Sequence, residues 1–220
     1  MTTISVGAEC SKEYYDFFDK HYYESGPQSG KSLYQNYRWI PELTIPLAYH
    51  ILTYINYKPG DTIMDFGCAK GYLTHAFRLL GADAWGVDIS EYAINEAPRE
   101  IQPYIKQIKP YEDDWKYCDH MICKDILEHI PYEYIDKQME IIRSKSKTIF
   151  AIIPVGFNDK YIIPAYELDE SHHIRESTKW WKDKFNTHSF FNVEVTTDLG
   201  PFKANWQSID SKGNVLIYGY

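Results

Sequence analysis

From Asp61 onward, short apolar runs alternate with amphipathic ones, and that alternation restricts the chain to few folds. TIMDF, AWGVDI, YCDHMIC and KTIFAII are rich in β-branched and aromatic residues and read as strands. Between the early ones lie YLTHAFRLL, SEYAINEA and EYIDKQMEIIRS, whose apolar positions recur at three and four and read as helices. Strands separated by helices build βαβ units, hence an α/β fold with a parallel sheet covered on both faces. The last two strand candidates, FFNVEVTT and NVLIYGY, are joined by LGPFKANWQSIDSKG, which has no helical period. They are expected to pair as an antiparallel edge.

The first sixty residues have a different texture. Aromatics interleave with charges in EYYDFFDKHYY, a turn-rich ESGPQSGKS follows, and then come LYQNYRW and the apolar-periodic PELTIPLAYHILTYI. The pattern predicts helix, loop, short helix, helix. Residues 1–60 are therefore expected to form a helical lid and substrate-binding extension on a single α/β domain of residues 61–220, and 220 residues suit one core.

Charge and cysteines narrow the setting. A formal net charge of −8 argues against a surface that neutralises many phosphates, so no nucleic-acid partner is expected. Cys10, Cys68, Cys118 and Cys123 form no C-x-x-C pair, which suits a reducing compartment. The first twenty residues lack a basic region followed by an apolar one, and no apolar run reaches about 18 residues. A cytoplasmic protein without membrane association is expected; oligomeric state is left open, a homodimer included.

The stretch MDFGCAKG, residues 64–71, joins strand TIMDF to helix YLTHAFRLL. Gly67 and Gly71 permit backbone conformations closed to other residues and let a ligand approach the chain. Asp65 ends the strand, and Asp88 ends the next one in GVDIS, at an offset where a carboxylate commonly takes ribose hydroxyls. The loop is G-x-x-x-G rather than G-x-G-x-x-G, so the usual pyrophosphate cradle is absent. Asp65 would repel a phosphate and suit an ammonium or sulfonium, which favours an adenosyl cofactor without phosphates. Asp88 has a second possible role as a helix N-terminal acid, although Ser90 is the better N-cap.

Four segments in order resemble the class I S-adenosylmethionine-dependent methyltransferases of the small-molecule group. Asp65–Gly71 is similar to that family's D-x-G-x-x-x-G motif, and Val87-Asp88-Ile89-Ser90 to its ribose-binding acid. Cys118–Cys123 followed by Ile126-Leu127-Glu128-His129-Ile130-Pro131 resembles its fourth strand and the element after it. Glu167–Phe185 resembles its late D-x-x-H segment. The resemblance runs from about Thr62 to Tyr220 and implies a Rossmann-like seven-stranded, mostly parallel sheet with an antiparallel final strand. It also implies S-adenosyl-L-methionine as cofactor, yielding S-adenosyl-L-homocysteine. Asp65, Gly67, Cys68, Ala69, Gly71, Asp88, Ile89 and Cys123 are the expected cofactor residues. Between Ala97 and Trp115 no third strand is apparent, and Gln107 and Ile108 are taken for the adenine neighbourhood.

Histidines are the candidates for the chemistry, because an acceptor hydroxyl must lose a proton and imidazole titrates near neutrality. His172, His173 and His129 are the expected general bases; solvated loop positions for the first two and a backbone contact for the third are the alternatives. No H-x-x-x-H pair or cysteine partner accompanies them or Asp169, so no metal is expected. In the lid, Tyr34 and Arg38 share a helical face at a spacing of four and are expected over the cofactor and acceptor, with packing on the sheet as the alternative. The expected activity is methyl transfer to a small-molecule acceptor, a sugar, nucleotide-sugar or other metabolite hydroxyl or amine. A macromolecular acceptor and a non-catalytic nucleoside-binding module are the other readings.

Overall fold

The computed structural model describes residues 12–111, 114–203 and 213–220. Its main sheet has seven strands: β1 (Thr62–Phe66), β2 (Asp83–Asp88), β3 (Ile105–Gln107), β4 (Cys118–Lys124), β5 (Ser146–Pro154), β8 (Glu194–Thr196) and β9 (Asn214–Gly219). Their order is β3-β2-β1-β4-β5-β9-β8. The first five pair in parallel, and β9 runs antiparallel to both β5 and β8, so the last two strand candidates pair as expected. A small hairpin of β6 (Gly156–Phe157) and β7 (Lys160–Tyr161) lies apart from this sheet.

The continuous apolar runs follow from burial on both faces. Along β5, Ile149, Ala151 and Ile153 point into one core, where they meet Ile135, Met139 and Ile142 of α7 (Ile135–Lys145) and Trp181 and Phe185 of α8 (Thr178–Thr187). The intervening Phe150 and Ile152 point the other way, into a core with Ala48 and Ile51 of α4 (Pro41–Tyr54) and Ala76 and Phe77 of α5 (Tyr72–Leu79). Each fully buried side chain of this size contributes about 1.5–3 kcal/mol relative to exposure. Two dry faces thus hold the strand ends in register.

Four sequence expectations change, the first at the turn-rich ESGPQSGKS, where a short helix forms over Gly26–Ser29 in place of the expected loop. A third strand does exist: β3 pairs with β2 through Gly86–Ile105 and Asp88–Gln107. It escaped detection because only Ile105 of its three residues is buried, as befits an edge. FFNVEVTT is a strand only over Glu194–Thr196, since buried Phe190 leaves the ladder for the core. The expected short helix at LYQNYRW does not form. There the backbone bonds across the segment instead, with Asn36 N–H donating to Glu24 O and Tyr37 N–H to Tyr23 O, and Asn36 takes a left-handed φ of 50°. Before it lie α1 (Lys12–Phe17), α2 (Lys20–Glu24) and α3 (Gly26–Ser29).

Candidate active site

The turn from β1 to α5 is wound tightly, with Gly67, Ala69 and Gly71 all at positive φ (78°, 49° and 72°). A Cβ on Gly67 would stand 2.5 Å from Ile126 Cγ1, so only glycine fits both the conformation and the space. The N–H groups of Gly67 and Cys68 both donate to Val87 O, at 2.8 and 3.0 Å, and pin the turn to the end of β2. Asp65 works from below: its Oδ2 accepts from Thr74 N (3.1 Å) and Thr74 Oγ1 (2.8 Å) at the start of α5. Burial pushes its carboxyl up to about 6, against the pull of the Thr74 bonds.

Asp88, unlike Asp65, faces open space. Its Oδ2 accepts from Ala69 N and its Oδ1 from Ser90 N, both at 2.7 Å, which leaves each oxygen a further acceptor position. Burial raises its pKa, opposed by the N–H groups of Ser90, Ala69 and Ile89. Ser90 caps α6 (Glu91–Asn95) by accepting from Ala93 N at 3.0 Å, so Asp88 is not spent on that helix.

A cavity enclosing about 790 Å³, its open mouth included, lies where β1, β2 and β4 end. This is the crevice at the carboxyl ends of the strands where open α/β sheets bind ligands. Of the expected cofactor residues, Gly67, Ala69, Asp88, Ile89 and Tyr34 line it, and so does Ile108; His129 lies on its wall. No lysine or arginine is among the lining residues. The others stand back. Cys68 packs with Ala97, Ile101 and Ile105, and burial pushes its thiol up. Gly71 starts α5, Cys123 is buried in β4, and Arg38 is exposed. Gln107 is exposed and donates its amide to Ile89 O at 3.1 Å.

The sequence reading missed most of the opposite wall. Tyr14, Phe18, Tyr22 and Tyr23 line it, packed edge-on around Phe18 and Tyr22, and the only forewarning was the aromatic texture of EYYDFFDKHYY. Asp125, with a left-handed φ of 52°, also lines the cavity. Although burial acts to raise it, Lys124 and Lys203 hold its carboxyl well below the usual range; Lys203 Nζ reaches its two oxygens at 2.8 and 3.0 Å.

His129 is buried, with Nδ1 2.8 Å from Ser171 Oγ. Ser171 Oγ donates to Asp169 Oδ1 at 2.5 Å, and Tyr22 OH donates to Asp169 Oδ2 at 2.9 Å. Because a carboxylate only accepts, the serine oxygen must receive the proton of His129 Nδ1, which leaves the lone pair on Nε2. Burial, with His172 nearby, lowers His129 to about 3. His172 is buried behind it, ring centroids 4.6 Å apart, and His173 is half-buried with its N–H on Glu128 O at 2.8 Å.

Comparison with known proteins matches residues 46–194 to the methyltransferase-domain family, a span from within α4 to the start of β8. The chain belongs to the class I S-adenosylmethionine-dependent methyltransferase family. The cofactor of this family is S-adenosylmethionine, in line with the sequence expectation. Among curated relatives, the ubiquinone biosynthesis O-methyltransferase of Coxiella burnetii is 29% identical over 107 residues, 44% of this chain and 46% of that protein. The chain thus spans about half the length of the curated relatives it matches first. Many solved structures share the fold. The phosphoethanolamine N-methyltransferase 2 of Haemonchus contortus, in complex with S-adenosyl-L-methionine, superimposes with a TM-score of 0.65 at 14% identity, covering 96% of this chain and 60% of that one. A SAM-dependent methyltransferase from Archaeoglobus fulgidus gives 0.61 at 18% identity, covering 79% and 92%.

Proposed function

We propose that the protein transfers the methyl group of S-adenosylmethionine to a small-molecule hydroxyl or amine in this cavity. The observation that carries the proposal is the Asp88 carboxylate, buried at the end of β2, facing a cavity with no lysine or arginine among its lining residues. Such a wall suits neutral ribose hydroxyls and offers nothing to a phosphate. The bound cofactor supplies an electrophilic methyl carbon next to a positive sulfur. The chain's task is placement. Asp88 accepts the ribose hydroxyls, Ile89 and Ile108 flank the adenine, and the Gly67–Ala69 backbone lies along the remainder. Asp65 contributes by fixing α5 and the turn rather than by touching the ligand.

His129 stands at the acceptor end. Of the three histidines considered as bases, it is the one that lines the cavity, and His172 and His173 act from behind it. The aromatic wall of Tyr14, Phe18, Tyr22, Tyr23 and Tyr34 acts as the lid, and the space it leaves favours a small acceptor over a polymer. The name of the Coxiella relative, a ubiquinone biosynthesis O-methyltransferase, supports that choice. A cytoplasmic setting is supported by three free buried thiols, Cys68, Cys118 and Cys123; Cys10 lies outside the described residues. Among the described residues no helix is long and apolar enough to cross a membrane.

Calorimetry with S-adenosylmethionine, followed by a screen of hydroxyl- and amine-bearing metabolites with methyl-labelled cofactor, tests the proposal. Saturable binding and label transfer to a small acceptor are expected. No affinity for the cofactor or its demethylated product overturns it.

A further inference from the structure

At the acceptor wall, which His129 lines, lies a cluster that methyl-donor binding does not use. Glu128, His129 and His172 each bring one candidate ligand atom into a set lying within 4.8 Å of one another, and all three are buried. Glu128 has no exposed surface, and among the described residues neither of its carboxylate oxygens has a hydrogen-bond partner. Leaving such a group unpaired is costly, and more so when it is charged. A fold that retains it at 0% exposure has a use for it.

Both rings are already oriented. The Asp169–Ser171 pair fixes the Nδ1 proton of His129, and the carbonyl of Tyr166, 2.8 Å from His172 Nδ1, fixes that of His172. Each Nε2 therefore offers its lone pair. Metal-ligating histidines have this arrangement, one nitrogen held by a carboxylate, hydroxyl or carbonyl and the other turned to the ion. Burial keeps both rings below their ordinary pKa, hence neutral near pH 7, which is the ligating form. Burial and the neighbouring Asp125 push the Glu128 carboxyl upward.

We propose that Glu128, His129 and His172 bind one divalent transition-metal ion of the Zn²⁺ class, placed to contact the oxygen of a hydroxyl acceptor. Two imidazoles and one carboxylate suit zinc or its first-row neighbours and leave open positions, whereas Mg²⁺ and Ca²⁺ prefer all-oxygen sets. The ion-binding half stands alone; the acceptor half rests on the methyl-transfer proposal. A cation held here removes the need for a proton acceptor by acidifying the coordinated hydroxyl. The hydroxyl proton then leaves to water at the cavity mouth. The oxygen forms the bond to the methyl carbon, and the carbon–sulfur bonding pair stays on sulfur.

The test uses tag-free, chelator-treated full-length protein, titrated with Zn²⁺ against a chromogenic chelator and with Co²⁺ for its visible absorption. One equivalent is expected, with Glu128→Gln and His172→Ala each weakening Zn²⁺ binding about 10–100-fold. S-adenosylmethionine affinity should stay at the wild-type value in both variants, which also reports that they are folded. Absence of stoichiometric Zn²⁺ and Co²⁺ binding by the wild-type chain overturns the site, as does wild-type affinity in both variants. Zinc bound without any cofactor affinity would instead strike the methyl-transfer proposal alone. The acceptor half is overturned if transfer to the acceptor found in the screen proceeds undiminished in chelator.

Discussion

The hydroxyl of Tyr22 donates to Asp169 Oδ2 at 2.9 Å, across 147 positions of sequence. Through Ser171, the same carboxylate sets the proton of His129. A ring from the N-terminal segment is thereby connected to the acceptor end by side-chain hydrogen bonds alone.

Tyr22→Phe keeps that ring in the cavity wall and deletes the bond. A hydrogen bond to a buried charged group is worth about 1.5–3 kcal/mol, so urea denaturation should show a loss of that size. The acceptor's KM should rise while cofactor affinity changes little. Equal loss of cofactor affinity would place Tyr22 in the cofactor's own site instead.

Asp88→Ala removes the two oxygens proposed to take the ribose hydroxyls and leaves the Ala69 and Ser90 N–H groups without the carboxylate. Cofactor affinity measured by calorimetry should fall about 10–100-fold, or about 1.4–2.8 kcal/mol. Unchanged affinity removes Asp88 from ribose binding.

Gly67→Ala sets a Cβ 2.5 Å from Ile126 Cγ1 at a φ of 78°. Backbone strain alone costs about 1–3 kcal/mol, and the clash adds to it. In the double variant Gly67→Ala, Ile126→Ala the clash goes but the strain remains, so denaturation should show partial recovery. Full stability of the single variant would show that the turn relaxes freely.

Asp65 carries a pH signature. Its folded pKa, about 6, lies above the unfolded value of 3.8, so between these values the native state holds the extra proton. Its contribution to stability is full below 3.8 and is lost as pH rises through 6. Asp65→Asn keeps an acceptor for Thr74 but cannot titrate. Compared with wild type it should gain about 1–3 kcal/mol in relative stability from pH 4 to pH 7. Parallel pH profiles for the two proteins would reject the shift.

The cofactor side was readable because it is local. A single stretch, Asp65 to Gly71, holds the glycines that the turn requires, and β2 delivers Asp88 beside it. Strands β1, β2, β4, β5 and β9 were readable because two-sided burial writes long apolar runs into them. Edge strand β3 carries one buried residue and left no such trace. On the acceptor side, His129 and His172 were legible singly, but their grouping was not. Glu128 and His129 meet His172 only through the fold, by way of Glu128 O accepting the N–H groups of His173 and Ile174, and no local spacing announces them. The N-terminal aromatics likewise pack by contact rather than by helical period, so Tyr34 reaches the cavity from an extended segment and Arg38 does not follow it.

Strand β9 is the last of the sheet in sequence and yet interior in space, between β5 and β8. During synthesis, β5 must wait with one edge of backbone donors and acceptors unpaired until residues 214–219 clear the ribosome. An open apolar edge of that kind recruits other chains. Time spent on the stretch between β8 and β9 therefore sets how long a nascent chain is exposed to aggregation, and slow decoding there should lower soluble yield.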